Sequence, residues 1–443
     1  MIEIGARLSE LEALGLSRRT RLVSGPQGPR VVLDGKPTLV LCSANYLGLA
    51  DHPRVREAAA EAAMRWGAGA GGSRLSTGTM TVHRRLEERL AEFLARPTAL
   101  LFGSGYLAAA GVLGALARPG DVVFLDELCP PALLDGCRLA GAETFVYDHL
   151  DVDHLRWGIA KAEGRGALIA TESVFSLGGD VAPMAEIVEL AQRRRLRLLV
   201  DESHALGAVG AGGEGVLRHE GLEDEVDVAL GSLGTGLGSY GAFVVCRRQM
   251  AEHLLNAART LLFSSALPPS AAAAALAALG LLEQRPQLAQ KLRLNASVLR
   301  RELEREGFGA GGQAQIVSVF VGSPELAERL ASAALEQGIL VEAIRPPAVP
   351  SAASFLRLTP MASHRPEELQ EAAGVLLRAA HSCGFEPAIS SLPAEVLDFE
   401  LESERRPVGA GEIAPRRGVF DVEALEPPQP DLFDVESSDR LAA

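Results

Sequence analysis

Leu198-Leu199-Val200-Asp201-Glu202-Ser203-His204-Ala205-Leu206-Gly207 is the stretch on which the fold turns. A short apolar run stops on an acid, and a histidine follows three residues later. The same pattern surrounds it: Ala99-Leu100-Leu101-Phe102, Val122-Val123-Phe124-Leu125, Ala167-Leu168-Ile169-Ala170, Val226-Asp227-Val228-Ala229-Leu230 and Ala242-Phe243-Val244-Val245 alternate with longer, helix-patterned segments. Strand-helix-strand alternation of this kind predicts an α/β fold with a mostly parallel central sheet. Most of the runs end in a small or acidic residue (Gly103, Asp126, Thr171-Glu172, Asp201, Gly231). In open sheets of this class ligands bind beyond the carboxyl ends of the strands, so the site is expected there.

Two loops flank that edge. Phe102-Gly103-Ser104-Gly105-Tyr106 ends one strand and opens a helix from Leu107 to Ala117, so its hydroxyl and backbone N–H groups suit a phosphate at the positive helix end. Gly231-Ser232-Leu233-Gly234-Thr235-Gly236-Leu237-Gly238-Ser239-Tyr240-Gly241 is a glycine-rich connection that admits close backbone approach to a ligand. A carboxylate at Asp201 is placed to keep a pyridine-type ring nitrogen protonated, with His204 contacting the same ring; capping of the following helix by Asp201 is the alternative. Leu86, Leu90, Phe93 and Leu94 fall on one helical stripe after His83, and Ser270 to Leu282 reads as a buried alanine-rich helix.

The divisions expected are an N-terminal segment 1–45, a large α/β domain 46–285, a smaller α+β domain 286–385, and an acidic disordered tail 386–443. The small domain reads as helix, strand Ile316 to Val321, helix Pro324 to Gln337 and strand Ile339 to Val341. In the tail a Phe-Asp-Val-Glu-like pattern recurs at Leu397–Glu402, Val419–Glu423 and Leu432–Glu436. It reads as a set of docking motifs for a protein partner, or as chance similarity in a low-complexity acidic stretch. The chain's net charge is −14, and residues 395–443 hold −8 of it. That acidity argues against nucleic acid as a partner. No apolar run is long enough to span a bilayer and the N-terminus lacks a signal pattern, so the expected location is the cytoplasm. Five widely spaced cysteines without a CxxC pair argue against a disulfide framework or a structural metal site. Lysine is scarce: only Lys36, Lys161 and Lys291.

In this order and spacing the motifs resemble the α-oxoamine synthase family of fold type I pyridoxal-phosphate enzymes. The likeness covers roughly residues 35–380. Further stretches that carry it are Ser43-Ala44-Asn45-Tyr46-Leu47-Gly48-Leu49, Gly71-Gly72-Ser73-Arg74-Leu75-Ser76-Thr77-Gly78-Thr79 with His83, and Leu134-Asp135-Gly136-Cys137-Arg138-Leu139. With them go Thr171-Glu172-Ser173-Val174-Phe175-Ser176, Phe263-Ser264-Ser265-Ala266-Leu267-Pro268-Pro269, and Leu356-Arg357-Leu358 with Met361-Ala362-Ser363-His364. The resemblance implies condensation of an acyl-CoA with an amino acid. It also implies that Asp201 pairs with the cofactor's ring nitrogen and His204 contacts its oxygen, while Ser104, Gly105, Tyr106 and Ser232 surround the phosphate. Asn45 and Arg357 would bind substrate, and Ser265 would reach the phosphate of a neighbouring subunit in a homodimer.

The resemblance breaks at four positions. Thr235 stands where the family has the lysine that bonds the cofactor aldehyde and moves the substrate's α-proton, and a hydroxyl can do neither. Pro130 stands for the histidine that stacks on the cofactor ring, Cys129 for an asparagine, and Ala109 for another asparagine. The expectation drawn from these departures is a catalytically impaired member acting as a partner subunit, regulator or scaffold, with pyridoxal 5'-phosphate held non-covalently if at all. By analogy with eukaryotic serine palmitoyltransferase it would form a heterodimer with a lysine-bearing paralogue, or else a homodimer. The alternative is an active acyl-CoA:amino acid C-acyltransferase using non-covalently held cofactor.

Overall fold

A computed structural model describes residues 3–387; the tail motifs lie outside the described residues. The central sheet has seven strands: β1 (Thr98–Phe102), β2 (Val122–Asp126), β3 (Glu143–Tyr147), β4 (Gly166–Glu172), β5 (Arg197–Asp201), β6 (Val228–Ser232) and β7 (Ala242–Cys246). Their order in space is β1-β7-β6-β5-β4-β2-β3. β7 runs antiparallel to both of its neighbours, and the remaining pairs are parallel. The reason is the short 233–241 connection, which has no room for the crossover a parallel return requires. β3 was not among the expected strands: it lies at the sheet edge, its residues are mostly half-buried, and Glu-Thr-Phe-Val-Tyr offers no continuous apolar run.

Helices cover both faces. Alternate residues of β2 point to opposite sides: Val122 and Phe124 join one core, and Val123 and Leu125 the other. The first core packs under α1 (Pro53–Trp66), α2 (Thr81–Phe93) and α5 (Pro269–Gln284), the second under α3 (Gly105–Leu116) and α4 (Pro131–Ala140). Leu86, Leu90 and Leu94 are buried as the stripe predicts, and Ala272, Ala273, Ala274, Ala275 and Ala278 of α5 are all buried. Small side chains let α5 sit close to α1 and α2.

After α5 the chain enters α6 (Gln287–Arg305) and a four-stranded antiparallel sheet that includes β8 (Val317–Phe320) and β9 (Phe355–Leu358), backed by α7 (Pro366–Ser382). Ile339–Leu340 does not join this sheet. It pairs in parallel with Lys36–Val40, which with Arg30–Leu33 and Val23–Ser24 makes a separate four-stranded sheet. Leu39 and Leu41 are therefore buried in the same apolar cluster as Val317, Leu356 and Leu376. This pairing carries the following residues, from Cys42 onward, beside the end of β9. Cys42 bridges Thr359, and the Ala362 N–H donates to the Tyr46 carbonyl at 2.7 Å.

Candidate functional site

The carboxyl edge of the sheet gathers an unusual set of buried acids. Asp201 ends β5 directly opposite Glu172, which ends β4. Both are buried, and neither forms an ion pair among the described residues. Asp201 Oδ1 accepts the Ser203 N–H at 2.8 Å, while Glu172 Oε2 accepts the Ser176 N–H at 3.1 Å and its hydroxyl at 3.0 Å. Burial pushes both carboxyls up, and for Glu172 the neighbouring Asp201 adds to it. Glu202, packed behind them, is raised to about 7 by burial although it accepts N–H bonds from Val216 and Leu217 at 2.7 and 3.0 Å. A cation brought to Asp201 would relieve this build-up of negative charge.

His204 is held neutral: burial, then the charge of Arg357, lowers it to about 3. Its Nδ1 lies 2.5 Å from Tyr46 Oη. Burial raises the Tyr46 phenol above its ordinary value, so it keeps its proton despite Arg357 nearby. The donor-only guanidinium beside the phenol leaves the phenol proton for Nδ1, which places the imidazole proton on Nε2. His204 is thus a neutral Nε2–H donor. Its backbone carbonyl accepts from Gln315 Nε2 at 2.7 Å. Arg357 on β9 donates from Nη1 to Glu342 Oε2 at 3.2 Å, and its buried Nε has no partner among the described residues. That leaves N–H donors of the fork, Nε among them, for a carboxylate.

Thr235 is buried, and its hydroxyl donates to the Ser203 carbonyl at 2.7 Å. It ties the glycine-rich loop to the turn after β5. Ser104 caps α3 by accepting the Leu107 N–H at 3.2 Å. The first N–H groups of α3, from Gly105 and Tyr106, have no intrahelical acceptor and form an anion-accepting end. Ser232 Oγ accepts the Gly234 N–H at 3.0 Å.

Of three further expected residues, Tyr106 and Asn45 have their side chains engaged elsewhere and Ser265 lies at the surface. The Tyr106 side chain is exposed and donates to Asp135 at 2.6 Å. Ser265 is exposed and bridges Ser73. The Asn45 amide is engaged by other segments of backbone, donating to the Gln27 carbonyl at 3.4 Å and accepting the Ala50 N–H at 3.2 Å. At the departures, Cys129 donates to the Ala170 carbonyl at 3.7 Å, and burial with Asp126 nearby raises its thiol well up. It is therefore an inert thiol. Pro130 is the N-cap of α4. The three lysines lie elsewhere: Lys36 on an N-terminal strand, Lys161 above the Trp157 ring at 5.6 Å, and Lys291 on α6.

Tyr46, Glu172 and Gln315 join the site without having been assigned to it from the sequence. The first two fall inside quoted motifs, and Glu172 at a strand end carried a readable signal. Gln315 had none, because only the packing of β8 brings it under His204. A pyridine ring with a phosphate fits these residues: Asp201 would hold its N–H, the start of α3 its phosphate, and His204 Nε2–H its ring oxygen.

Such a carboxyl edge defines the fold type I pyridoxal-phosphate transferases. The chain belongs to the aminotransferase class I and II family, whose model matches residues 36–376. It is 43% identical over 382 residues to 8-amino-7-oxononanoate synthase of Citrifermentans bemidjiense, covering 85% of this chain and 98% of that protein. With the enzyme of the same name from Anaeromyxobacter dehalogenans it is 45% identical over 362 residues, 82% of this chain and 91% of the other. Among solved structures it resembles a lysine-to-alanine variant of serine palmitoyltransferase from S. paucimobilis, determined with a pyridoxal-phosphate–myriocin aldimine bound, at TM-score 0.81 and 32% identity, over 86% of this chain and 97% of that one. Among the described residues no helix is long and apolar enough to cross a membrane.

Proposed function

We propose that this chain binds pyridoxal 5'-phosphate non-covalently and carries out, at reduced rate, the acyl-CoA:amino acid condensation of 8-amino-7-oxononanoate synthase. The observation that carries the reading is the intact polar frame of Asp201, His204 and Arg357 around a position, Thr235, that has no amine. The names of the relatives support the acyltransferase over the impaired subunit expected from the sequence. The serine palmitoyltransferase variant supports the fold's capacity to hold a cofactor adduct with a lysine changed to alanine.

The cofactor, when bound, supplies an electron sink for the carbon next to the substrate's amine. The chain's own residues do the rest. Asp201 keeps the ring nitrogen protonated, His204 donates from Nε2, and Arg357 orients the amino acid carboxylate. With no amine at position 235, moving the α-proton falls to water, and the loss of a positioned base is expected to slow turnover about 10²–10⁴-fold.

A second reading, a non-catalytic subunit paired with a lysine-bearing paralogue, is favoured by the Thr235 hydroxyl being committed to the Ser203 carbonyl. Both readings include a dimer. Leu75 and Phe263 are exposed on either side of the Ser73–Ser265 bridge, and a second copy seated there would bring Ser265 toward its neighbour's phosphate site.

Borohydride reduction with pyridoxal phosphate, peptide mapping and a CoA-release assay test this on the native chain and Thr235→Lys. The expected result is an unlabelled native chain with slow, cofactor-dependent CoA release, and a variant labelled at position 235 with faster release. Absence of cofactor binding by the native chain would sink the proposal. Binding without any CoA release would leave the non-catalytic subunit.

A further inference from the structure

Behind the site, a cavity of about 250 Å³ opens between the loop after Tyr46, the end of α5 and the start of α6. Leu47, Leu49, Leu281, Leu288 and Ala362 give it an apolar wall. Three basic side chains border the same space: His52, Arg285 and Lys291. None of the three forms an ion pair among the described residues. In a chain with a net charge of −14 and only three lysines, these three basic groups meet around one apolar hollow, and the buried His52 Nδ1 has no hydrogen-bond partner among the described residues.

We infer that this cavity binds a medium-chain monocarboxylate, its apolar stem against the four leucines and its carboxylate between Lys291 and Arg285. The chemistry calls for both parts. An apolar wall alone would take any small hydrocarbon, whereas a bare anion would gain nothing from Leu47, Leu49, Leu281 and Leu288. The volume limits the stem to about eight carbons, below the size of the usual drug-sized pocket. The cavity is separate from the cofactor frame: the Tyr46 hydroxyl meets His204, while Leu47 and Gly48, next along the chain, face the cavity.

Titration calorimetry of the full chain with octanoate, 1-octanol and inorganic phosphate tests the inference. Octanoate is expected to bind saturably, one per chain, with 1-octanol and phosphate each weaker by about tenfold or more. Lys291→Gln with Arg285→Gln should weaken octanoate by about tenfold or more while leaving 1-octanol unchanged. Both side chains are exposed, so the double variant is expected to fold, and a filled cavity in Leu288→Trp should abolish binding independently. Octanoate binding that survives the double variant, or that is lost instead in Arg357→Gln, would place the ligand elsewhere and overturn the inference. So would absence of saturable binding, or equal affinity for 1-octanol.

Discussion

His149 shows how much a single residue contributes here. Its Nδ1 lies 2.7 Å from Asp126 Oδ1, Nε2 is 3.7 Å from Asp180, and its ring stands edge-on to Phe175 at 4.4 Å. Burial alone would lower its pKa, but the hydrogen bond to Asp126 and the nearby negative charges of Asp126 and Asp180 outweigh it and raise the group from 6.5 to about 9. The folded state thus binds the proton more tightly than the unfolded chain. The stabilisation is fully present below pH 6.5 and is lost as the pH rises through 9, a contribution of order 3 kcal/mol. Denaturant unfolding at pH 6 and pH 9.5 should show the native chain losing stability across that window and His149→Asn losing much less; equal slopes would refute the assignment. His204 behaves oppositely, since its lowered pKa makes stability fall as the pH drops below 6.5. At this scale Asp201 and His204 were legible because strand ends and residue types announce them. The directions of the Asn45 and Tyr106 side chains were not, because partners distant in the sequence, the Gln27 carbonyl and Asp135 of α4, decide where they point.

Two elements would hold the phosphate in the proposed site, and each has its own sensitivity. Ser104 both caps α3 and shapes the donors at its start, so Ser104→Ala is expected to cost about 1 kcal/mol of stability. The same change should weaken pyridoxal phosphate by several-fold in a spectral titration; unchanged affinity would remove α3 from the phosphate site. The glycine-rich loop is held more rigidly. A Cβ on Gly236 would stand 2.4 Å from the Leu206 carbonyl oxygen and 3.2 Å from Gly207 Cα, both backbone atoms with nowhere to move. Gly236→Ala is therefore expected to destabilise by about 1–3 kcal/mol, read from the urea midpoint. Elements with a clear period or a continuous apolar run, such as α2, α5, β2 and β5, were readable in advance. The edge strand β3 was not, and neither was the alliance of Ile339–Leu340 with Lys36–Val40. Both depend on partners far away in the sequence, which local pattern does not encode.

At the scale of the whole molecule, the exposed apolar side chains make the strongest argument for an assembly. Met64 is 89% exposed, Phe263 76%, Tyr240 60% and Leu75 58%. Single exposed apolar residues are ordinary in a soluble chain. Here Leu75 and Phe263 belong to segments joined by the Ser73–Ser265 bridge, and Ala266 N–H donates to the Gly72 carbonyl at 2.9 Å, so the two segments form one ordered surface. An aromatic ring and a leucine displayed together on such a surface are the kind of anchor that a stable interface buries at its centre. Sedimentation velocity of the native chain should give about twice the 46.6 kDa chain mass. Leu75→Glu with Phe263→Glu should sediment as a monomer, because placing like charges on both sides of a two-fold interface costs several kcal/mol. Both positions are exposed, so the far-UV spectrum and melting of the isolated subunit should stay close to native. If Ser265 completes the neighbour's phosphate site, the monomeric variant should also lose affinity for pyridoxal phosphate. A native chain that sediments as a monomer at tens of micromolar while still binding cofactor would show that the site is complete within one subunit.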